Sequence, residues 1–154
     1  MSIDSIKEIM DGLDPTALLP DLSTLFGRVE LICKIAVLIG PVILLIMGLA
    51  YLLLSPKEAN HYFGYRCYYG MGSIQAWRFT QRLSGAVMGG LGLILTVTMY
   101  FISGSFHGMN AMELAQKAVS CLVWEAILIA LAMGGINLTA FFLFDRKGEP
   151  RRRK

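Results

Sequence analysis

Charge is scarce in this chain. Lys, Arg, Asp and Glu make up 16% of its 154 residues, against about a quarter in an average soluble domain. That deficit excludes a disordered acidic or basic tail protein. It also leaves too little polar surface to cover a soluble core. Cysteine is sparse too. Cys33, Cys67 and Cys121 show no CxxC spacing, and their odd number excludes a disulfide framework. Cys33 and Cys121 read as small buried apolar residues. The chain also lacks HExxH, a Ser-His-Asp set, paired carboxylates and a phosphate-binding glycine loop that ends in Lys-Ser/Thr. Neither an enzyme nor a metal or cofactor site is expected. The N-terminal stretch does not read as a cleavable signal peptide. It carries Asp4, Glu8, Asp11, Asp14 and Asp21, where a signal peptide has a basic start and then an apolar run.

Long apolar runs are what the chain has. Hydrophobic residues make up 55%, with a mean hydropathy of +0.58. Three stretches reach the ~20 apolar residues that cross about 30 Å of hydrocarbon. They are 35–54, 83–103 and 121–144, and Glu125 is the one acid among them. The expected fold is all-α: an integral membrane bundle of three transmembrane helices with a short amphipathic N-terminal segment. That segment, 1–34, places Ile3, Ile6, Ile9 and Leu13 on one face and is interrupted at Pro15 and Pro20. It serves as an interfacial lead-in or as a partner contact. The membrane domain is 35–144, with a connection at 55–82, and 145–154 is a basic tail.

Lys and Arg set the orientation. The 104–120 connection carries only Lys117. The tail carries Arg146, Lys147, Arg151, Arg152, Arg153 and Lys154, and 55–82 carries Lys57, Arg66, Arg78 and Arg82. The contrast places the C-terminus and the 55–82 connection in the cytoplasm, and the N-terminus outside, in a multi-pass cell-membrane protein. Charges 151–154 hold topology or bind anionic lipid of the bilayer. No base-reading fold accompanies them, so no direct nucleic-acid partner is expected.

Within the spans, Gly40-Pro41 predicts a kink in the first helix. Gly85 and Gly89, followed by Gly90 and Gly92, let another helix approach closely. That surface fits either a homodimer or packing within the bundle, with Gly134-Gly135 as a matching surface. Glu125 is expected to reach headgroups or water near the outer end of its span. Asn137 lies deeper, where an unpaired amide is costly, and Thr96 or Thr98 is its expected partner. Twelve residues separate the two, a rotation of about 120°, so they do not share a face.

The 55–82 connection is richest in detail. Tyr62, Phe63, Tyr65, Tyr68, Tyr69, Trp77 and Phe79 exceed what a bare linker needs. Ser55-Pro56-x-Glu58 reads as a helix start. Phe63-Gly64-Tyr65-Arg66 reads as a turn with Gly supplying backbone freedom. Gly70 and Gly72 break the chain, and Ser73 caps a helix leading into the second span. On that helix Ser73, Trp77, Gln81 and Gly85 form one stripe, suited to packing against 60–66. The Arg66 fork fits a carboxylate, a phosphate or helix-end carbonyls. The plainer account is an interfacial aromatic belt with arginines obeying the positive-inside rule.

The order of residues resembles the SdpI family of small bacterial membrane proteins, also called the SdpI/YfhL family. The resemblance rests on Asn60, Phe63-Gly64-Tyr65-Arg66, Ser73, Trp77 and Gln81, followed by Gly85. It covers about 35–105. The chain departs from the pattern at Cys67, where the family usually has Thr, and at Tyr68-Tyr69-Gly70-Met71-Gly72, where Pro or basic residues are usual. The resemblance implies a bacterial cytoplasmic-membrane protein that confers immunity to a secreted toxin peptide (a bacteriocin-like agent) and signals by holding a cytoplasmic repressor at the membrane. The mechanism it implies is binding, carried by Asn60, Gly64, Tyr65, Arg66, Ser73, Trp77 and Gln81. Rival readings are a small transporter, an accessory subunit of a membrane complex and, with Arg66 and His61 near a lipid phosphate, a membrane enzyme.

Overall fold

Ser73 shows how local sequence sets the helices. Its backbone is extended, and its hydroxyl accepts from the Ala76 N–H at 3.1 Å, which satisfies one of the orphan donors of a helix start. In the computed structural model, which describes residues 22–56 and 62–151 and side chains from 27 onward, this cap opens the second of three long helices. They are α1 (Leu22–Leu53), α2 (Ile74–Gly104) and α3 (Ala111–Leu143). All three are long and apolar enough to cross a membrane. The fold is all-helical. The one β-type pairing among the described residues is an isolated bridge between Phe144 and Pro150.

Each helix starts about ten residues before the apolar run that marks it. The runs report hydrocarbon, whereas helix continues into the polar layer wherever local chemistry supports it. In α1, Lys34 donates to Glu30 Oε1 at 2.6 Å, an i,i+4 pair. In α3, Glu113 lies in the first turn, where the helix dipole favours an acid. The helices have 32, 31 and 33 residues, or about 46–50 Å at 1.5 Å per residue, longer than the hydrocarbon layer alone. The 1–34 segment is therefore helical from Leu22. Its Ile3, Ile6, Ile9 and Leu13 face lies outside the described residues, as do Glu58, Asn60 and His61.

Small residues set the main seam, between α1 and α2. The Gly48 backbone sits against the Gly89 backbone, so a Cβ at Gly48 would also lie 2.9 Å from the Met88 carbonyl carbon. A Cβ at Gly85 would lie 2.6 Å from Leu52 Cγ, and one at Gly92 would strike the Leu45 backbone. The glycines of α2 thus meet α1. Gly134 and Gly135 are not the matching surface: they are exposed, and a Cβ at either meets nothing within 4 Å. Leu44, Met88, Leu95, Met99 and Ile136 fill the core between the helices. Outward-facing Ile35, Ile39, Ile43, Ile94, Leu131 and Phe142 present apolar surface, as a lipid solvent requires.

Pro41 lies inside α1 and is fully buried. α1 continues through it as helix, and Pro41 leaves the Val37 carbonyl without its in-helix donor.

The ends of α2 and α3 close on each other. Past α3, Asp145 Oδ1 accepts from the Lys147 and Glu149 N–H groups at 2.9 and 2.8 Å. Gly148 adopts φ +74°. Ser73 Oγ donates to the Gly148 carbonyl at 2.6 Å. The start of α2 and the first residues of the tail therefore share one end of the bundle.

Candidate functional site

The site is built where 63–70 returns across the start of α2. Gly64 has φ +120°, a conformation side-chain-bearing residues rarely adopt. It also has no room for one, because a Cβ would lie 2.8 Å from the Trp77 ring and 2.9 Å from Gln81 Oε1. Trp77 is wholly buried, and its indole N–H donates to the Pro56 carbonyl at 3.0 Å. That bond ties the exit of α1 to α2.

Gln81 takes the place of a strand partner. Its Oε1 accepts from the Tyr65 N–H at 2.9 Å, and its Nε2 donates to the Tyr65 carbonyl at 2.7 Å. Both groups are buried, so each needs a partner inside the protein. One amide satisfies the main chain of Tyr65 in both directions.

The Tyr65 side chain then crosses to α3. Its hydroxyl lies 3.2 Å from Asn137 Oδ1 and 3.3 Å from the Met133 carbonyl. The ring meets Tyr51 of α1 edge-to-face at 6.4 Å. Burial holds the phenol above its ordinary ionisation range, so it remains a neutral donor. Asn137 is thus partnered by the connection. The Thr96 hydroxyl instead donates to the Gly92 carbonyl of its own helix at 2.7 Å. A threonine hydroxyl in a helix finds its own preceding turn more readily than a neighbouring helix.

Beyond Tyr65, the Gly70 N–H donates to Cys67 Sγ at 3.2 Å, and a Cβ at Gly70 would lie 2.6 Å from Thr80 Oγ1. Cys67 is buried. Arg66 instead lies on the exposed side. With Tyr68, Tyr69, Asn137, Leu138 and Phe141 it lines a groove of about 560 Å³ between the turn and α3. Phe141 packs edge-to-face on Tyr69 at 5.2 Å, and the Arg151 guanidinium lies 4.9 Å from the Phe141 ring centre. Arg151 Nε also donates to the Phe144 carbonyl at 3.0 Å.

Gly64, Tyr65, Trp77 and Gln81 therefore meet in one cluster. Ser73 stands apart, capping α2 and holding Gly148. Gly85 continues the stripe but faces α1, and Asn60 lies outside the described residues. Sequence reasoning missed Tyr51 and Gly148. It singled out Asn137 as a deep amide in need of a bond, but assigned it to a threonine of α2 and not to Tyr65.

The model of the SdpI/YfhL protein family matches residues 57–143. The chain belongs to the SdpI/YfhL family. The match begins after α1 and runs through α3, further than the motif residues alone reach. No curated protein and no solved structure matches the chain. As a member of the SdpI/YfhL family with three apolar helices, it is a multi-pass membrane protein. In this family member the stretch from Gly64 to Gln81 is held by the two Gln81–Tyr65 main-chain bonds and by the Trp77 bond to Pro56.

Proposed function

We propose that this SdpI/YfhL protein is a binding and signalling protein that confers immunity to a secreted toxin peptide, and that it acts without catalysis, metal or cofactor. The toxin engages the spans or the outer connection. The 63–70 turn sets the state of the cytoplasmic face, where a repressor docks along the Arg66 groove. The observation that carries this reading is Tyr65. Its main chain is clamped to α2 by Gln81, and its phenol bonds Asn137 of α3. A ligand that favours one placement of α3 therefore biases the turn bearing Arg66, which is what a two-state switch requires. The groove offers a guanidinium, two tyrosines and an amide beside apolar walls, chemistry suited to an acidic, amphipathic segment of a protein partner.

The test is protection. Wild type and Arg66→Ala are expressed at equal membrane levels in a sensitive host and challenged with a panel of secreted killing peptides. Wild type is expected to protect against at least one peptide, and Arg66→Ala to lose that protection. Protection retained in the variant removes Arg66 from the mechanism. Absence of protection against every peptide removes immunity, and substrate movement in liposomes then favours a transporter.

A further inference from the structure

Glu125 has no part in the reading above. It lies fourteen residues into α3 and eight past Lys117, about 12 Å deeper along the helix axis. Its carboxyl is buried inside the protein and does not reach headgroups or water as its sequence position suggests. It is 3% exposed, and its Oε1 has no hydrogen-bond partner. Its other oxygen, Oε2, lies 3.1 Å from where a Gly40 Cβ would stand. The bare glycine thus makes the space that the carboxyl fills, against the turn of α1 that Pro41 interrupts.

The surroundings suit a donor. The Val37 carbonyl, one turn earlier on α1, lacks its helical N–H because of Pro41. A carboxylate only accepts hydrogen bonds, whereas a carboxylic acid can donate one. Among the described residues, no cation is paired with the site. Lys34 is paired with Glu30 at 2.6 Å, His107 lies 3.6 Å from that same Glu30, and Lys117 donates to Ser105 Oγ at 2.8 Å. Of the other described ionisable groups towards this end, Arg28 is exposed and stands twelve residues before Gly40, about 18 Å along α1, Glu113 is an exposed acid, and Cys33, Tyr100 and Cys121 supply no positive charge. An ionised carboxylate buried without a partner is strongly disfavoured.

We propose that Glu125 and the Gly40–Pro41 turn form a proton-binding site inside the membrane, occupied when α1 and α3 are packed. The acid is neutral in that arrangement. Loss of the proton leaves a charge that the α1–α3 contact cannot accommodate.

The test uses the full chain in liposomes and a membrane-soluble carbodiimide. In that reaction the carboxyl proton passes to a carbodiimide nitrogen and the carboxyl oxygen bonds to the central carbon, so only a protonated acid reacts directly. Peptide mapping at neutral pH is expected to place an adduct on Glu125, and labelling is expected to fall as pH rises. The exposed Glu113 and Glu149 serve as water-facing controls and remain unlabelled. Glu125→Gln is expected to lose the adduct. The wild-type map decides the matter even if that variant does not fold. An unlabelled Glu125 at neutral pH overturns the proposal. So does suppression of labelling by sodium or potassium, which assigns the site to a metal ion.

Discussion

Gln81 concentrates more structural consequence than any other single side chain of the cluster. Replacing it with Ala strands the buried N–H and carbonyl of Tyr65 together. Each stranded group costs about 1–3 kcal/mol, so Gln81→Ala is expected to lower the midpoint of thermal unfolding in detergent clearly. Gln81→Glu keeps the acceptor but loses the donor, and is expected to fall between. Tyr65→Phe makes the opposite separation. It leaves the Gln81 clamp intact and removes only the phenol's contacts with Asn137 and the Met133 carbonyl of α3. The expected stability loss is about 1 kcal/mol or less, while protection in the peptide challenge is lost. Equal protection by wild type and Tyr65→Phe would detach the α3 contact from function. At this scale much was legible in the residues. Gly64, Trp77 and Gln81 stand out as a glycine, an indole and an amide in a connection that has no need of them. The crossing to Asn137 was not legible, because a spacing of 72 residues carries no periodic signal.

Among the elements, the glycines divide into two kinds. Gly48 and Gly89 touch backbone to backbone, whereas Gly134 and Gly135 meet nothing. Gly48→Ala is expected to destabilise by about 1–3 kcal/mol through overpacking, read as earlier thermal unfolding in detergent. Gly134→Ala is expected to be neutral or to stabilise by up to about 1 kcal/mol, since Ala is the better helix former. If the two variants behaved alike, α1 and α2 would not be in close contact. Spacing shows which residues share a face of a helix, but it does not name the neighbour. That is why Gly85 and Gly89 were legible as a contact surface and their partner on α1 was not. Helix ends were obscured for a related reason. Hydropathy marks where lipid begins, and α1, α2 and α3 all continue past that mark.

For the whole molecule, one end gathers the 63–70 turn, the start of α2 and residues 145–151 of the tail. Ser73 holds this end by two bonds, to Ala76 N–H and to the Gly148 carbonyl. Ser73→Ala is expected to cost about 1 kcal/mol from the cap alone and to expose the 144–151 segment to protease in intact membranes. Unchanged cleavage would mean that the tail is held by other contacts. The excess of Lys and Arg at this end predicts that it faces the cytoplasm. A reporter that is active only in the cytoplasm, fused after Lys154, is expected to be active. An inactive fusion at full expression would invert the topology.

The meeting of three helices at Tyr65 has a consequence for how such a switch can be measured. Coupling between two sites through one element is reciprocal: whatever factor one ligand applies to the other's affinity, it receives in return. If a toxin bound outside weakens a repressor held at the Arg66 groove, saturating the groove must weaken toxin binding by the same factor. A soluble fragment of the partner, titrated from the cytoplasmic side, would then report on the outer surface without any toxin chemistry being known beforehand.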